Sequence, residues 1–167
     1  HIHALYASAV WTGMRFGELA GLRTQDVDLC KRLITVQRSY DHGTKKGDSR
    51  QVPVLDVLLP TLERWLGHGG GPLVFTNRDG RMLQPSARVA QEILHRVLDR
   101  AGFPLTTTGG RTRRVITFHS LRHTFASHWV MQGGDMFKLQ KILGHKSIEM
   151  TLRYAHLAPH AFSADFA

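Results

Sequence analysis

Apolar and polar positions along the chain alternate with two different periods. Residues 2–12 are mostly apolar or small, which predicts a buried helix, and Thr12-Gly13 breaks it. A short helix restarts at 15–22 with Leu19 and Leu22 facing inward. Residues 32–40 (RLITVQRSY) alternate apolar with polar and are rich in β-branched side chains, the pattern of a strand. Residues 42–48 hold Gly43, Gly47 and two lysines, which is turn chemistry. Residues 50–55 return as a second strand, so the region predicts a hairpin. A helix at 56–66, capped by Asp56, follows and stops at the glycine run 67–71. A short third strand at 73–75, a turn at 77–80 and an amphipathic helix at 85–101 come next, with Pro85 in the first helical turn. Residues 106–114 (TTTGGRTRR) read as a polar, basic loop. Three consecutive helices at 118–132, 135–143 and 147–156 are separated by Gly133-Gly134 and Gly144. The fold class expected is mainly α with one small antiparallel β-sheet (α+β).

Composition narrows the picture. The chain has 167 residues, 42% of them hydrophobic, which suits one cored domain over 1–167. The longest apolar runs, near 52–59 and 7–11, are too short for a membrane span, and the N-terminus lacks signal-peptide organisation. Beginning at His1 without Met, the chain reads as a fragment of a longer polypeptide. Lys and Arg number 22 against 13 acidic residues, a net charge of +9, which favours a polyanionic partner such as nucleic acid. Cys30 is the single cysteine, so no internal disulfide forms, as fits a reducing cytoplasm.

Candidate chemistry concentrates in the C-terminal third. His119 and Arg122 stand three apart on one expected helix and share a face. His145 follows the apolar run ending at Leu143 and the break at Gly144, and Tyr154 lies on a short helix beyond it. Two histidines, an arginine and a tyrosine in one place suit attack on a phosphodiester. Guanidinium donors match two non-bridging oxygens at once. A phenol of pKa near ~10 needs a base or nearby cations to act as a nucleophile at neutral pH. The leaving alkoxide needs a proton. A second arginine is therefore expected, and Arg15, paired with or oriented by Glu18 three residues on, leads. A lysine from the hairpin turn, Lys45 or Lys46, is the candidate acid.

Four segments taken together resemble one family. TGMRFGELAGLRTQDVDL (12–29) looks like the first conserved box of the tyrosine recombinases, or phage integrases. HSLRHTFASHWV (119–130) resembles their His-x-x-Arg box, and LGHKSIEMTLRYAHL (143–157) the box ending in the nucleophilic tyrosine. TKKGDSRQVPV (44–54) is similar to their lysine-bearing β-hairpin. The resemblance runs from Leu5 to Leu157 in the family's order. It implies a catalytic domain for site-specific DNA strand breakage and rejoining, without metal or cofactor. Arg15 and Arg122 would clamp the scissile phosphate and Tyr154 would attack it, leaving a 3′-phosphotyrosyl link. Lys45, favoured over Lys46 by the Thr-Lys-x-Gly pattern, would protonate the 5′ oxygen. His119 would assist proton transfer at the tyrosine and His145 would bond a non-bridging oxygen. It further implies double-stranded DNA as partner, a tetramer on two DNA sites, a bacterial or phage origin with a cytoplasmic, nucleoid-associated location, and an N-terminal DNA-clamping domain that lies outside this chain.

Taken one at a time, each residue has a plainer reading. Arg15 with Glu18 is then a surface ion pair of little consequence. His119 is a core histidine, or with His123 half a zinc site, although no Glu follows His119 as in a His-Glu-x-x-His motif. His145 caps a helix, Tyr154 packs in a core, and Lys45 and Lys46 are solvated. Arg111, Arg113 and Arg114 contact phosphate or solvent, and Trp11, Trp65 and Trp129 are core. Alternative functions are type IB topoisomerase-like relaxation, an inactive DNA-binding module, and a metal-dependent phosphodiesterase.

Overall fold

The computed structural model describes residues 2–40, 42–43, 49–69, 71–84, 88–103, 106–108, 111–113 and 115–159. Helix α1 (Ile2–Thr12) buries Ala4, Leu5, Ser8, Ala9 and Thr12, one stripe at helical spacing. Helix α2 (Phe16–Ala20) places Leu19 in the core, and Leu22 just beyond it is also buried. A 3-10 turn (Thr24–Asp26) leads into strands β1 (Val27–Asp28) and β2 (Leu33–Val36).

The expected hairpin is present, with a shorter first strand. Strand β2 ends at Val36, and the chain continues as β3 (Arg38–Ser39), which pairs with β4 (His42–Gly43) in a separate ribbon. Strand β5 (Arg50–Pro53) pairs antiparallel with β2, Ile34 opposite Val52 and Val36 opposite Arg50, and β1 completes the three-stranded sheet. Ile34, Val36 and Val52 are fully buried. Arg50 has the same strand parity as Val52, so it also enters the interior.

Helix α3 (Leu59–Gly67) starts three residues later than the sequence predicts. Pro60 occupies its first turn, where a missing N–H costs nothing, and Asp56 pairs with Arg32 instead of capping it. Leu73 makes only an isolated bridge with Arg23 in place of the expected third strand, while Val74 and Phe75 are buried. Helix α4 (Arg88–Arg100) shows the expected amphipathic face, burying Ala90, Leu94 and Leu98; Pro85 lies outside the described residues. The expected loop at 106–114 is instead a two-stranded ribbon, β6 (Thr106–Thr108) against β7 (Arg111–Arg113). Threonine favours strands, and a Gly-Gly pair between two such runs is a hairpin signal that outweighs the lack of apolar residues.

Helix α5 (Phe118–Met131) is the central element. It packs along α1 and against α4, α6 and the final turn. Helix α6 (Met136–Leu143) begins at Asp135, whose carboxylate accepts from the Lys138 N–H, and packs on β5. The last expected helix is broken: α7 spans Glu149–Leu152, and a 3-10 turn follows at Ala155–Leu157. The Tyr154 N–H bonds the Thr151 carbonyl and the Leu157 N–H bonds the Tyr154 carbonyl, the tighter three-residue spacing. Trp11, Trp65 and Trp129 are half-buried against the core. Among the described residues no helix is long and apolar enough to cross a membrane.

Candidate active site

The site begins where two helices end. Helix α1 stops at Gly13, whose φ of +64° is left-handed and suits glycine; a Cβ there would approach Phe125 to 2.6 Å. Helix α6 stops at Gly144, φ +65°, in a Schellman arrangement: the His145 N–H bonds the Gln140 carbonyl and the Gly144 N–H bonds the Lys141 carbonyl. That leaves the carbonyls of Ile142 and Leu143, which an ordinary helix end would give to water. Here two arginines take them. Arg50 Nε donates to the Ile142 carbonyl at 2.7 Å, and Arg122 Nη2 to the Leu143 carbonyl at 2.6 Å. Arg122 Nη1 also donates to the Gly13 carbonyl at 2.8 Å, so one guanidinium joins the ends of α1 and α6. The negative pole of a helix C-terminus favours such a cation.

Glu18 is the counter-charge behind this arrangement. It is only 4% exposed and accepts from four donors. Arg50 engages both carboxylate oxygens, at 2.9 and 2.7 Å; Arg15 donates through its backbone N–H at 2.8 Å and through Nη1 at 2.9 Å. Burial alone would raise the Glu18 pKa, but the Arg50 hydrogen bonds and charge, with those of Arg15, hold it below the ordinary 4.5. Sequence reasoning paired Glu18 with Arg15 alone; the strand parity of Arg50 was the available signal for its second partner. The Arg15 side chain remains 42% exposed.

Five of the six residues singled out from the sequence converge on a cleft of about 580 Å³: Arg15, His119, Arg122, His145 and Tyr154 line it. Lys45, and the alternative Lys46, lie outside the described residues. Arg122 is 3% exposed; burial, with Arg15 close by, pulls its pKa from 12.5 to about 10, still charged at neutral pH. The His145 ring bonds the buried Thr151 hydroxyl through Nδ1 at 2.9 Å. Burial, then the charges of Arg122 and Arg15, lower its pKa from 6.5 to about 4, so it is a neutral imidazole among cations. His119 is exposed at the junction with a smaller cavity of about 230 Å³ that Arg15 also lines. Burial and then the neighbouring His123 hold its pKa below 6.5.

Tyr154 is 6% exposed and reaches the cleft with its hydroxyl bonded to His123 Nδ1 at 2.5 Å. Burial raises the phenol pKa above 10, against opposing pulls from Arg153 and Arg122. His123 and Arg153 also line the cleft, and neither was singled out as a catalytic candidate. For His123 the signal was its place on α5, one residue past Arg122 and four past His119, which puts it on the same face. Among the described residues no three His, Cys, Asp or Glu side chains cluster to hold a metal ion. Fixed guanidinium groups, a neutral imidazole and a phenol in one cleft can bind an oxyanion and carry out proton transfer and nucleophilic attack beside it.

A helical domain that gathers these groups around a small antiparallel sheet has the tyrosine recombinase catalytic-domain fold. The chain belongs to the phage integrase family, whose model matches residues 1–160. A putative integrase of Pseudomonas phage Pf1 is 44% identical over 124 residues, 74% of this chain and 31% of that protein. The crystal structure of XerA recombinase superposes with a TM-score of 0.75 at 28% identity, covering 93% of this chain and 53% of XerA. The XerH site-specific recombinase, crystallised before cleavage on its difH substrate, gives 0.70 at 25% identity, covering 92% of this chain and 42% of XerH. This chain therefore spans about a third to a half of each of these proteins.

Proposed function

We propose that this chain is the catalytic domain, over 1–167, of a site-specific DNA recombinase that cuts and rejoins strands through a 3′-phosphotyrosyl intermediate. The observation that carries the reading is the cleft itself, where Arg15 and Arg122 stand with Tyr154 around a space open to a ligand. Arg15 and Arg122 grip the non-bridging oxygens of the scissile phosphate. Glu18 and the helix-end carbonyls hold these arginines in place before substrate arrives, so little reorganisation is left for the transition state. Neutral His145 donates a hydrogen bond to a non-bridging oxygen through Nε2, with Thr151 bonding Nδ1. His119 assists proton movement at the tyrosine end.

In the chemical step the Tyr154 oxygen loses its proton and bonds to phosphorus. The bond from phosphorus to the 5′ oxygen breaks, and that oxygen takes a proton from Lys45. One phosphodiester is exchanged for another, so no external energy source is required, and a 5′-hydroxyl from a second strand reverses the step. The partner is double-stranded DNA, and the net charge of +9 favours such a polyanion. The working assembly is a tetramer on two sites, with an N-terminal clamp from the longer protein, in the bacterial or phage-infected cytoplasm near the nucleoid.

A nicked suicide duplex tests the reading. The wild type should become covalently joined to the 3′ phosphate and release a free 5′-hydroxyl strand, while Tyr154→Phe binds DNA nearly as well and forms no adduct. An adduct retained by the Phe variant contradicts the assignment. Exchange between two sites, run beside supercoil relaxation, separates a recombinase from a topoisomerase-like enzyme.

A further inference from the structure

Resting on that reading, we propose that His123, through Nδ1, is the catalytic base that takes the Tyr154 proton. The Tyr154 hydroxyl has one hydrogen-bond partner among the described residues, and at 2.5 Å it is this nitrogen. The two rings are tilted by 47° with centroids 5.9 Å apart. His145 is committed through Nδ1 to Thr151, and His119 meets His123 edge to face at 5.0 Å, so it stands beside the acceptor and not at the hydroxyl.

The surroundings keep His123 ready to accept. The titratable and charged groups that line the cleft with it are His119 and Arg122 from α5, Tyr154, Arg153 and Glu149 from the last segment, Arg15 before α2 and His145 after α6. Arginines outnumber the single carboxylate in this set. Burial, followed by the charges of Arg153 and Arg122, holds the His123 pKa below 6.5, so the ring is neutral at pH 7. A buried phenol of raised pKa cannot supply phenolate unaided at that pH. Taken together, an unionised donor lies at hydrogen-bond distance from an unprotonated acceptor.

The step balances. The Tyr154 O–H bond breaks and its proton passes to His123 Nδ1, whose Nε2 already carries hydrogen. The phenolate pair forms the new bond to phosphorus, and the 5′ oxygen leaves with the proton of the separate acid. Rejoining runs the other way: the released phenolate recovers the proton from the imidazolium.

The test is single-turnover cleavage of the suicide duplex from pH 6 to 9 by the wild type, His123→Ala and His123→Asn. Wild-type adduct that vanishes in Tyr154→Phe secures the parent reading independently, and its absence would refute that reading and this inference together. If the wild type does form the adduct, His123→Ala should bind DNA normally and cleave about a hundredfold more slowly at pH 7. Its rate should climb about tenfold per pH unit where the wild type is flat, and added imidazole should restore part of the rate. His123→Asn keeps a hydrogen bond to the phenol without basicity and should stay slow; it decides the matter if the Ala variant fails to fold. Either variant cleaving at the wild-type rate with the wild-type pH profile would overturn the proposal.

Discussion

The two walls of the cleft are built from different materials. The arginine wall is anchored in backbone: Arg122 and Arg50 occupy carbonyls at the ends of α1 and α6, and a buried carboxylate, Glu18, gathers Arg50 and Arg15. The tyrosine wall rests on side chains: Tyr154 on His123, and Thr151 on His145, in a stretch where a four-residue helix gives way to a 3-10 turn. A phosphate clamp needs fixed donors, because stabilisation of developing charge comes from dipoles already in place. A nucleophile needs a partner that takes its proton and gives it back, which a side chain does and a backbone carbonyl cannot. In the proposed reading the arginine wall carries the structural cost and the tyrosine wall the proton and bond chemistry, and each half can be tested separately.

The largest effect should come from the centre of the arginine wall. Glu18→Ala leaves Arg50 buried without its carboxylate, and breaking such a pair costs about 3–5 kcal/mol. At this chain length that is roughly 10 °C in melting temperature. A loss below about 1 kcal/mol would mean that the carboxylate is not the anchor. Because Glu18 has a folded pKa below 4.5, its contribution is present above 4.5 and disappears as the pH falls through the folded value. The Ala variant should lack that acid-side component of the stability profile. Next, Arg122→Ala should lower the cleavage rate at least about a hundredfold, and Arg15→Ala similarly, by the loss of a preorganised oxyanion donor. Cleavage near the wild-type rate removes either residue from the clamp.

Smaller effects should mark the tyrosine wall. His145→Gln keeps a donor but not the ring, and a cleavage loss of roughly tenfold corresponds to about 1.4 kcal/mol, just under the range for one hydrogen bond to a charged group. The folded pKa of His145 is about 4 against 6.5, so the unfolded chain binds its proton first. Its share of stability is complete above 6.5 and is lost between 6.5 and about 4; the Gln variant should show a flatter slope there. Smallest of all, Thr151→Val removes one buried hydroxyl bond at almost constant volume, a change of about 1 kcal/mol by denaturant titration. A Val variant of unchanged stability and rate would show that Thr151 does not orient His145.

Most of this arrangement was legible in the sequence, and three of the parts that were not share a cause. Arg15, His119, Arg122, His145 and Tyr154 sit in boxes that resemble one family's, and that resemblance is what joins Arg15 to the other four; an apolar run marks α1 and local pattern marks α4, α5 and α6. Arg50 and His123 escaped because their roles depend on which side chains meet across elements. Arg50 matters only once β5 runs beneath the end of α6, and His123 only once the last segment folds back onto α5. The single helix expected at 147–156 fails for the same reason: contacts from Thr151 and Tyr154 to other elements override the local period. The ribbon at 106–113 was missed for a different reason, since polar strands carry no apolar alternation.

In the proposed reaction the phenol oxygen of Tyr154 bonds to DNA phosphorus. Digestion of the suicide-substrate adduct and mass mapping of the DNA-linked peptide measures it directly. One modified residue is expected, Tyr154, carrying the 3′ phosphate. A nucleotide carried on any other side chain, or strand cleavage with no protein-linked phosphate, would contradict it.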